Sequence, residues 1–119
     1  MSGAIDVKAL DAIRALQRPG KPDLLGRIVA LFEGETPKAI RTMLDAVETR
    51  EIDAIRDAAH TLKSSSAYVG AVALSARCRE LERAARAGNL PACVVVADAL
   101  EDDYAEAIAE LLPLTTRAA

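Results

Sequence analysis

Apolar residues recur along most of the chain at intervals of three and four, the spacing that places side chains on one side of an α-helix. Strict alternation of apolar and polar residues, which is typical of half-buried strands, is not found. The intervals predict helical segments at about 4–17, 23–49, 51–69, 71–87 and 91–112. Short runs with glycine or proline, which end or interrupt helices, separate most of these segments. The pattern therefore predicts an all-α fold.

The first segment is predicted to be a short accessory helix. Asp6 lies in its first turn, where a negative charge suits the helix dipole. The run Arg18-Pro19-Gly20-Lys21-Pro22, with two prolines and one glycine, cannot continue a helix. Residues 1–20 are therefore expected to lie across one end of a larger bundle. The apolar side of this helix comprises Ala9, Leu10, Ile13 and Leu16.

The second segment contains a possible interruption. After Gly34, Thr36 and Pro37 form the pair typical of a helix start, a threonine N-cap followed by proline at the first helical position. The pattern predicts one helix from Asp23 and a second to about Thr49; one long helix kinked at Pro37 is the alternative. The predicted core residues are Leu24, Leu25, Ile28, Leu31, Phe32, Ile40, Met43, Leu44 and Val47.

The later segments have clearer ends. Gly70 and Gly88 can take the left-handed conformation that ends a helix, and Asn89 can cap the last segment. Pro113 is expected to stop that segment and to leave 113–119 as a frayed tail. The predicted inner residues of the last two helices are Leu74, Cys78, Leu81, Ala85, Val94, Ala97, Leu100, Tyr104, Ile108 and Leu111.

Most charged residues of these two helices are predicted to lie outside. Exposed ion pairs contribute little stability, and the acidic run 101–103 is interpreted as a solvated face rather than a metal site. The outer residues of segment 71–87 are Arg77, Arg79, Glu80, Glu82, Arg83 and Arg86. Four main helices with short connections predict an antiparallel up-down-up-down four-helix bundle with an additional short N-terminal helix.

Composition agrees with one helical domain over residues 1–119. Hydrophobic residues make up 51% of the chain but aromatic residues only 3%, and alanine and leucine favour packed helices over a β-sandwich. The net charge of −3 is unlike the basic surface of a nucleic-acid-binding protein. Since no apolar run approaches the roughly 20 residues of a membrane span and no signal-peptide pattern is present, we expect a cytoplasmic location. Cys78 and Cys93 are expected to be reduced and buried; a disulfide or a metal site is the weaker interpretation.

His60 is the single histidine of the chain, and the helical phase places it toward solvent. Lys63 and Ser64 follow at positions three and four residues further on, so both are helix neighbours of His60. The predicted core side of this helix comprises Ile52, Ile55, Ala59, Leu62, Ser66 and Val69.

An exposed imidazole can be a nucleophile, a general base, a metal ligand or an unused surface group. Lys63 would offset the charge of an anionic group attached to His60, and Ser64 could donate a hydrogen bond to it. The alternative is a solvated side chain without a function, which is the usual state of a single exposed histidine. These residues alone leave both interpretations open.

The run His60-Thr61-Leu62-Lys63-Ser64-Ser65-Ser66, followed by Gly70-Ala71, resembles the signature of the histidine phosphotransfer (HPt) domain of bacterial two-component phosphorelays. Residues 78–82 and 87–89 are similar to the next helix of that family and its end. The resemblance extends from about Leu24 to about Leu111. Two departures stand out: Ser64 replaces the usual glycine after the lysine, and Arg50-Glu51 replaces a frequent Gly-Asp turn.

The resemblance implies the same four-helix bundle and a phosphocarrier function. His60 would accept a phosphoryl group through Nε2 from an aspartyl phosphate on the receiver domain of a hybrid sensor kinase, and pass it to the aspartate of a response regulator. Lys63 would stabilise the phosphoryl charge, and Ser64 would shape the site entrance or donate a hydrogen bond. The resemblance also implies that Mg²⁺ is held by the receiver partner, so that this chain has no cofactor or metal of its own. Because the sequence has no glycine-rich nucleotide loop, we expect no ATP-dependent kinase activity. We expect a monomer, because one bundle uses the apolar stripes. The alternatives are a helical interaction module without phosphotransfer and, more remotely, a metal-binding bundle.

Overall fold

The structure is a computed structural model that describes residues 3–115. Within that range the ordered elements are six helices and no strands. Their bounds are α1 Val7–Arg14, α2 Leu24–Glu48, α3 Ile52–Tyr68, α4 Val72–Arg86, α5 Leu90–Ala97 and α6 Leu100–Thr115.

The helices form the predicted antiparallel bundle. Helices α2, α3 and α4 supply three of its members, and α5 with α6 supplies the fourth. The short α1 contacts α2 as an additional helix. The fully buried large side chains come from every member of the bundle and from α1: Leu10, Val29, Met43, Ile55, Leu62, Leu74, Leu81, Leu100 and Leu111. The predicted fold class is confirmed.

Helix α2 is continuous through Pro37, so the predicted break at Thr36-Pro37 is wrong and the single-helix alternative is correct. A proline inside a helix has no N–H to donate to the carbonyl four residues earlier, which here is Glu33 O. The Tyr104 hydroxyl donates to this carbonyl at 3.1 Å. The Tyr104 ring also contacts Phe32, with centroids 5.7 Å apart. A side chain distant in sequence thus replaces the hydrogen bond that Pro37 removes.

The fourth member of the bundle also differs from prediction. The predicted helix 91–112 is divided by a turn at Asp98 and Ala99. The face of α5 that turns inward carries Cys93 and Ala97, which leaves Val94 exposed. Pro113 does not stop α6, which continues to Thr115, and Arg14 of α1 donates to the Leu114 carbonyl at 3.3 Å. The rest of the predicted frayed tail, residues 116–119, lies outside the described residues.

Three further predictions of burial or exposure are wrong. Asp103 is buried rather than part of an exposed acidic patch, because Arg77 of α4 donates to its carboxylate at 2.8 Å. Leu16 is exposed because α1 ends at Arg14, two residues before it and earlier than predicted. Leu31 is exposed because Leu25, Val29 and Phe32 already fill the inner face of α2.

The turns around α3 show how its ends are fixed. Arg50 has a φ of +61°, a left-handed conformation that favours glycine, at the place where the chain departs from the Gly-Asp turn. Gly70 follows α3 with a φ of +79°. Its carbonyl accepts from the Asp6 N–H at 2.7 Å, and a Cβ at this position would lie 2.5 Å from Asp6 O. Gly70 therefore ends α3 and admits the N-terminal segment.

The Pro37–Tyr104 arrangement makes a testable prediction. Tyr104→Phe should lower the free energy of unfolding by roughly 1 kcal/mol, because it removes one hydrogen bond and retains the ring. In a Pro37→Ala background, an amide at position 37 can serve Glu33 O, so the same change should cost less. Urea unfolding of the four proteins measures this coupling. Equal costs of Tyr104→Phe in both backgrounds would contradict the explanation.

Candidate functional site

His60 lies on the outer face of α3, as the helical phase predicts. Its neighbours Ala59 and Leu62 are buried, whereas 60% of the His60 side chain is exposed. The inner residues Ile55, Ala59, Leu62 and Ser66 follow one another at spacings of four, three and four, which fixes the direction of His60. The imidazole is therefore accessible from solvent.

The central group of the site is the carboxylate of Glu82 on α4, of which only 7% is exposed. His60 Nδ1 lies 3.0 Å from Glu82 Oε2. Lys63 Nζ donates to Oε1 at 2.7 Å, and Arg86 Nη2 donates to Oε2 at 2.9 Å. Helix α3 supplies His60 and Lys63, and helix α4 supplies Glu82 and Arg86. The close contact between these two helices brings the four side chains together.

These contacts keep Glu82 ionised. The hydrogen bond from Lys63, followed by that from Arg86, lowers the pKa of Glu82 from 4.5 to about 2; burial opposes this shift, and His60 adds to it. An ionised carboxylate can only accept hydrogen bonds, so the proton in the His60–Glu82 contact belongs to Nδ1. In the neutral ring, Nε2 then carries the free lone pair. The geometry thereby distinguishes the two ring nitrogens, whereas the sequence alone does not show which one carries the proton.

The serines beside His60 have different surroundings. Ser64 Oγ donates to the His60 carbonyl at 3.3 Å, and Ser65 Oγ to the Leu62 carbonyl at 3.2 Å, so both hydroxyls bond their own helix. Ser66 is fully buried, and its hydroxyl has no hydrogen-bond partner within the described residues. Ser75 of α4 donates to the Lys63 carbonyl at 2.9 Å and ties the two helices together beside the site.

Sequence reasoning missed two members of this cluster. It placed Glu82 and Arg86 on a solvated face with ion pairs of little value, but Glu82 is buried. The inner face of α4 is wider than the predicted stripe, since Ser75 and Glu82 are buried beside Cys78, Leu81 and Ala85. The seven-residue interval from Ser75 to Glu82 is the signal that could have indicated this wider face. The partners of Glu82 on α3, His60 and Lys63, could not be inferred without the register of α3 against α4.

A groove of about 780 Å³ lies beside His60, between α2 and α3. Asp57 and Thr61, which flank His60 on α3, belong to its wall. The apolar part of the wall includes the exposed side chains of Leu31 and Tyr68. The wall also includes Ile28, Phe32, Ala39, Ala58, Leu62 and Val69. The imidazole thus stands between an apolar groove on one side and the Glu82 cluster on the other.

Three other observations concern metal binding, membrane spans and the two cysteines. Within residues 3–115 no group of three or more His, Cys, Asp or Glu side chains is arranged to hold a metal ion. No helix in the same range combines the length and apolar character needed to cross a membrane. Cys78 and Cys93 are buried free thiols, and burial raises the pKa of Cys78 to about 12.

Comparison with known proteins identifies the family. The model of the Hpt domain matches residues 27–110. The crystal structure of histidine-containing phosphotransfer protein B (HptB) from Pseudomonas aeruginosa PAO1 has a TM-score of 0.89, with 23% identity and complete coverage of both chains. Histidine-containing phosphotransfer protein MtHPt2 from Medicago truncatula has a TM-score of 0.80 and 26% identity, covering 95% of this chain and 77% of its own. The chain belongs to the Hpt domain family.

A curated relative extends the comparison to plants. Histidine-containing phosphotransfer protein 2 of Arabidopsis thaliana is 28% identical over 95 residues, which is 77% of this chain. The aligned region spans 61% of the length of the Arabidopsis protein. The relatives therefore include plant proteins as well as a bacterial one, and the family is not confined to bacteria.

The lowered pKa of Glu82 predicts a pH dependence of stability. Because its pKa is below the ordinary value, Glu82 stabilises the fold above pH 4.5, and this contribution is lost as the pH falls toward 2. Glu82→Gln should therefore unfold at lower urea than the wild type at pH 7, and the difference should shrink between pH 4.5 and pH 2. Glu80→Gln, on the exposed face of the same helix, is the matched control. A difference between wild type and Glu82→Gln that stays constant over this range would contradict the assignment.

Proposed function

We propose that this chain is a phosphorelay intermediate. His60 accepts a phosphoryl group from an aspartyl phosphate on the receiver domain of a hybrid sensor kinase, and donates it to an aspartate of a response regulator. The observation that carries the proposal is the exposed imidazole whose Nδ1 is bonded to the buried, ionised Glu82, with Nε2 left accessible. Membership of the Hpt domain family supports the same role.

The transfer step requires no proton to leave the site. The Nε2 lone pair of the neutral imidazole forms the N–P bond as the P–O bond to the receiver aspartate breaks, and the aspartate departs as a carboxylate. The ring then carries a positive charge, and its Nδ1–H still faces Glu82. A fixed carboxylate stabilises this charge as it develops, and it holds the ring in the reactive orientation before transfer. The reverse sequence returns the phosphoryl group to a second aspartate.

The other two proposed site residues have different supporting observations. Lys63 places an ammonium one turn from His60, where it offsets phosphoryl charge. One hydrogen bond of this ammonium is already donated to Glu82. Ser64 bonds its own helix backbone. This contact supports a role in shaping the entrance to the site over direct hydrogen bonding to the phosphoryl group.

The receiver is proposed to dock over the groove between α2 and α3, so that its aspartate reaches His60 from the open side. Mg²⁺ would be held by the receiver, where it would offset charge on the phosphoryl group. The chain itself is proposed to act as a monomeric phosphocarrier without ATP-dependent kinase activity, since no glycine-rich nucleotide loop is present in its sequence.

The first test is phosphotransfer with purified components. The chain and a His60→Gln variant are each incubated with a receiver domain that carries a radiolabelled aspartyl phosphate. We expect acid-labile label on the wild type and none on the variant, because an amide cannot act as the nucleophile. Circular dichroism and urea unfolding should show that both proteins are folded, since His60 is exposed. Label that persists in the variant would contradict the assignment, and receiver binding without label in the wild type would indicate an interaction module.

Ser64 tests the departure from the family signature. Ser64→Gly should preserve transfer or accelerate it, because it widens the space beside His60. The same change should reduce the free energy of unfolding by roughly 0.5 kcal/mol, since glycine is a poor helix former. Ser64→Ala is the matched control that removes the hydroxyl without adding backbone freedom. A loss of rate of about tenfold in both variants would show that the hydroxyl takes part in transfer.

A further inference from the structure

We propose that Ser75 of α4 is a positioning residue for the phosphorylation of His60. Its hydroxyl donates to the Lys63 carbonyl of α3 at 2.9 Å. This hydrogen bond sets the register of α4 against α3, so that the Glu82 carboxylate lies where His60 Nδ1 can reach it. The inference rests on the proposed function, because it concerns the readiness of His60 to accept a phosphoryl group. Ser75 acts through Glu82 rather than on the phosphoryl group.

The first argument concerns the polar contacts between the two helices. Within residues 3–115, three side-chain hydrogen bonds join α3 to α4. Two of them end on the Glu82 carboxylate, and they are the contacts that orient the site. The third is the bond from Ser75, which does not involve Glu82. Because apolar packing between the helices is non-directional, Ser75 supplies a directional constraint that is independent of Glu82.

Lys63 is bonded to α4 in two directions along the helix axis. Its carbonyl points toward the C-terminal end of α3 and accepts from Ser75, whereas its side chain leans toward the N-terminal end and donates to Glu82 Oε1 at 2.7 Å. Ser75 and Glu82 lie about two turns apart on the buried face of α4. Because α4 runs antiparallel to α3, they meet α3 on opposite sides of Lys63. A shift of α4 along α3 in either direction therefore stretches one of the two contacts.

The Ser75 contact is the stiffer of the two. The serine hydroxyl is separated from the main chain by one rotatable bond, and its partner is a main-chain oxygen. Lys63 and Glu82 reach each other through long side chains that can follow a small shift of the helices. A shift by the rise of one residue, about 1.5 Å, exceeds what a hydroxyl-to-carbonyl hydrogen bond tolerates. Ser75 is also buried, so water does not readily replace the contact.

Removal of the hydroxyl should loosen the register without unfolding the protein. The Lys63 carbonyl lies within α3 and also accepts from the N–H four residues later in the helix, so Ser75→Ala leaves no buried acceptor without a partner. Alanine also favours a helix more than serine does. The expected change is therefore at the site, where the contact between His60 and Glu82 is formed for a smaller fraction of the time.

Tyr104→Phe is the matched control. It also removes one hydroxyl that donates to a carbonyl of a neighbouring helix, in this case from α6 to Glu33 of α2 at 3.1 Å. The two variants therefore lose the same kind of hydrogen bond, but only Ser75 joins the helices that carry His60 and Glu82. A general loss of stability would affect both variants alike.

The first readout is the tautomer of His60, measured by ¹⁵N nuclear magnetic resonance of the full chain at about pH 8, where an ordinary imidazole is neutral. Ser75→Ala should weaken the preference for Nδ1–H, and Tyr104→Phe should match the wild type. In a Glu82→Gln background, Ser75→Ala should change the tautomer ratio no further, because its effect passes through Glu82. An unchanged ratio in Ser75→Ala, an equal change in Tyr104→Phe, or an equal effect of Ser75→Ala in both backgrounds would each overturn the proposal.

The second readout is the rate of loading from phosphoramidate, a small phosphoryl donor that needs neither a receiver nor the α2–α3 groove. The P–N bond of its protonated form breaks and ammonia leaves as the bond from phosphorus to His60 Nε2 forms. Ser75→Ala should load about threefold more slowly than the wild type, and Tyr104→Phe should load at the wild-type rate. Equal loading rates in Ser75→Ala and the wild type would overturn the proposal.

Failure of the proposed function has a different signature. A wild type that loads from phosphoramidate but transfers phosphoryl groups to no receiver domain would reject the relay role, while the Ser75 comparisons still hold. A wild type that does not load at His60 would overturn both the relay role and the part of Ser75 in it, even if the tautomer depends on Ser75.

Discussion

The site depends on one buried carboxylate that three side chains share. Glu82 accepts from His60 Nδ1, Lys63 and Arg86, and the first two of these contacts join α3 to α4 beside an open face of the bundle. The Lys63 and Arg86 contacts compensate for burial of the charge and keep it ionised. The ionised carboxylate in turn fixes the proton of the imidazole on Nδ1. The contact between His60 and Glu82 therefore has two effects: it joins α3 to α4, and it leaves the Nε2 lone pair of His60 free.

Other polar contacts between distant segments determine the shape of the bundle. Tyr104 of α6 donates to the carbonyl that Pro37 leaves unpaired, so α2 can run without a break along one side of the groove beside His60. Arg77 of α4 donates to the buried Asp103 of α6, which links the helix that carries Glu82 to the fourth member of the bundle. The framework of the site is thus fixed by side chains that lie far from it in sequence.

Much of the fold was predictable because helical periodicity and glycine positions are local properties. The stripe through Ile55, Ala59 and Leu62 placed His60 outside, and Gly70 marked the end of α3. The continuity of α2 was not predictable, since local rules treat Pro37 as a break and Tyr104 lies 67 residues away. The burial of Glu82 was missed for a related reason: its partners on α3 are known only once the register of α3 against α4 is known. Local signals therefore located His60, the proposed nucleophile, but not the groups that orient its ring.

Nuclear magnetic resonance of the imidazole tests the central claim most directly. His60 is the only histidine, so the ring signals of a ¹⁵N-labelled sample have a single source. Long-range ¹H–¹⁵N spectra before and after phosphorylation identify which nitrogen carries the proton and which carries phosphorus. The account predicts the Nδ1–H tautomer for the neutral unphosphorylated ring and phosphorus on Nε2 afterwards, with the tautomer preference weakened in Glu82→Gln. Phosphorus on Nδ1, or a tautomer mixture that is the same in the wild type and Glu82→Gln, would contradict it.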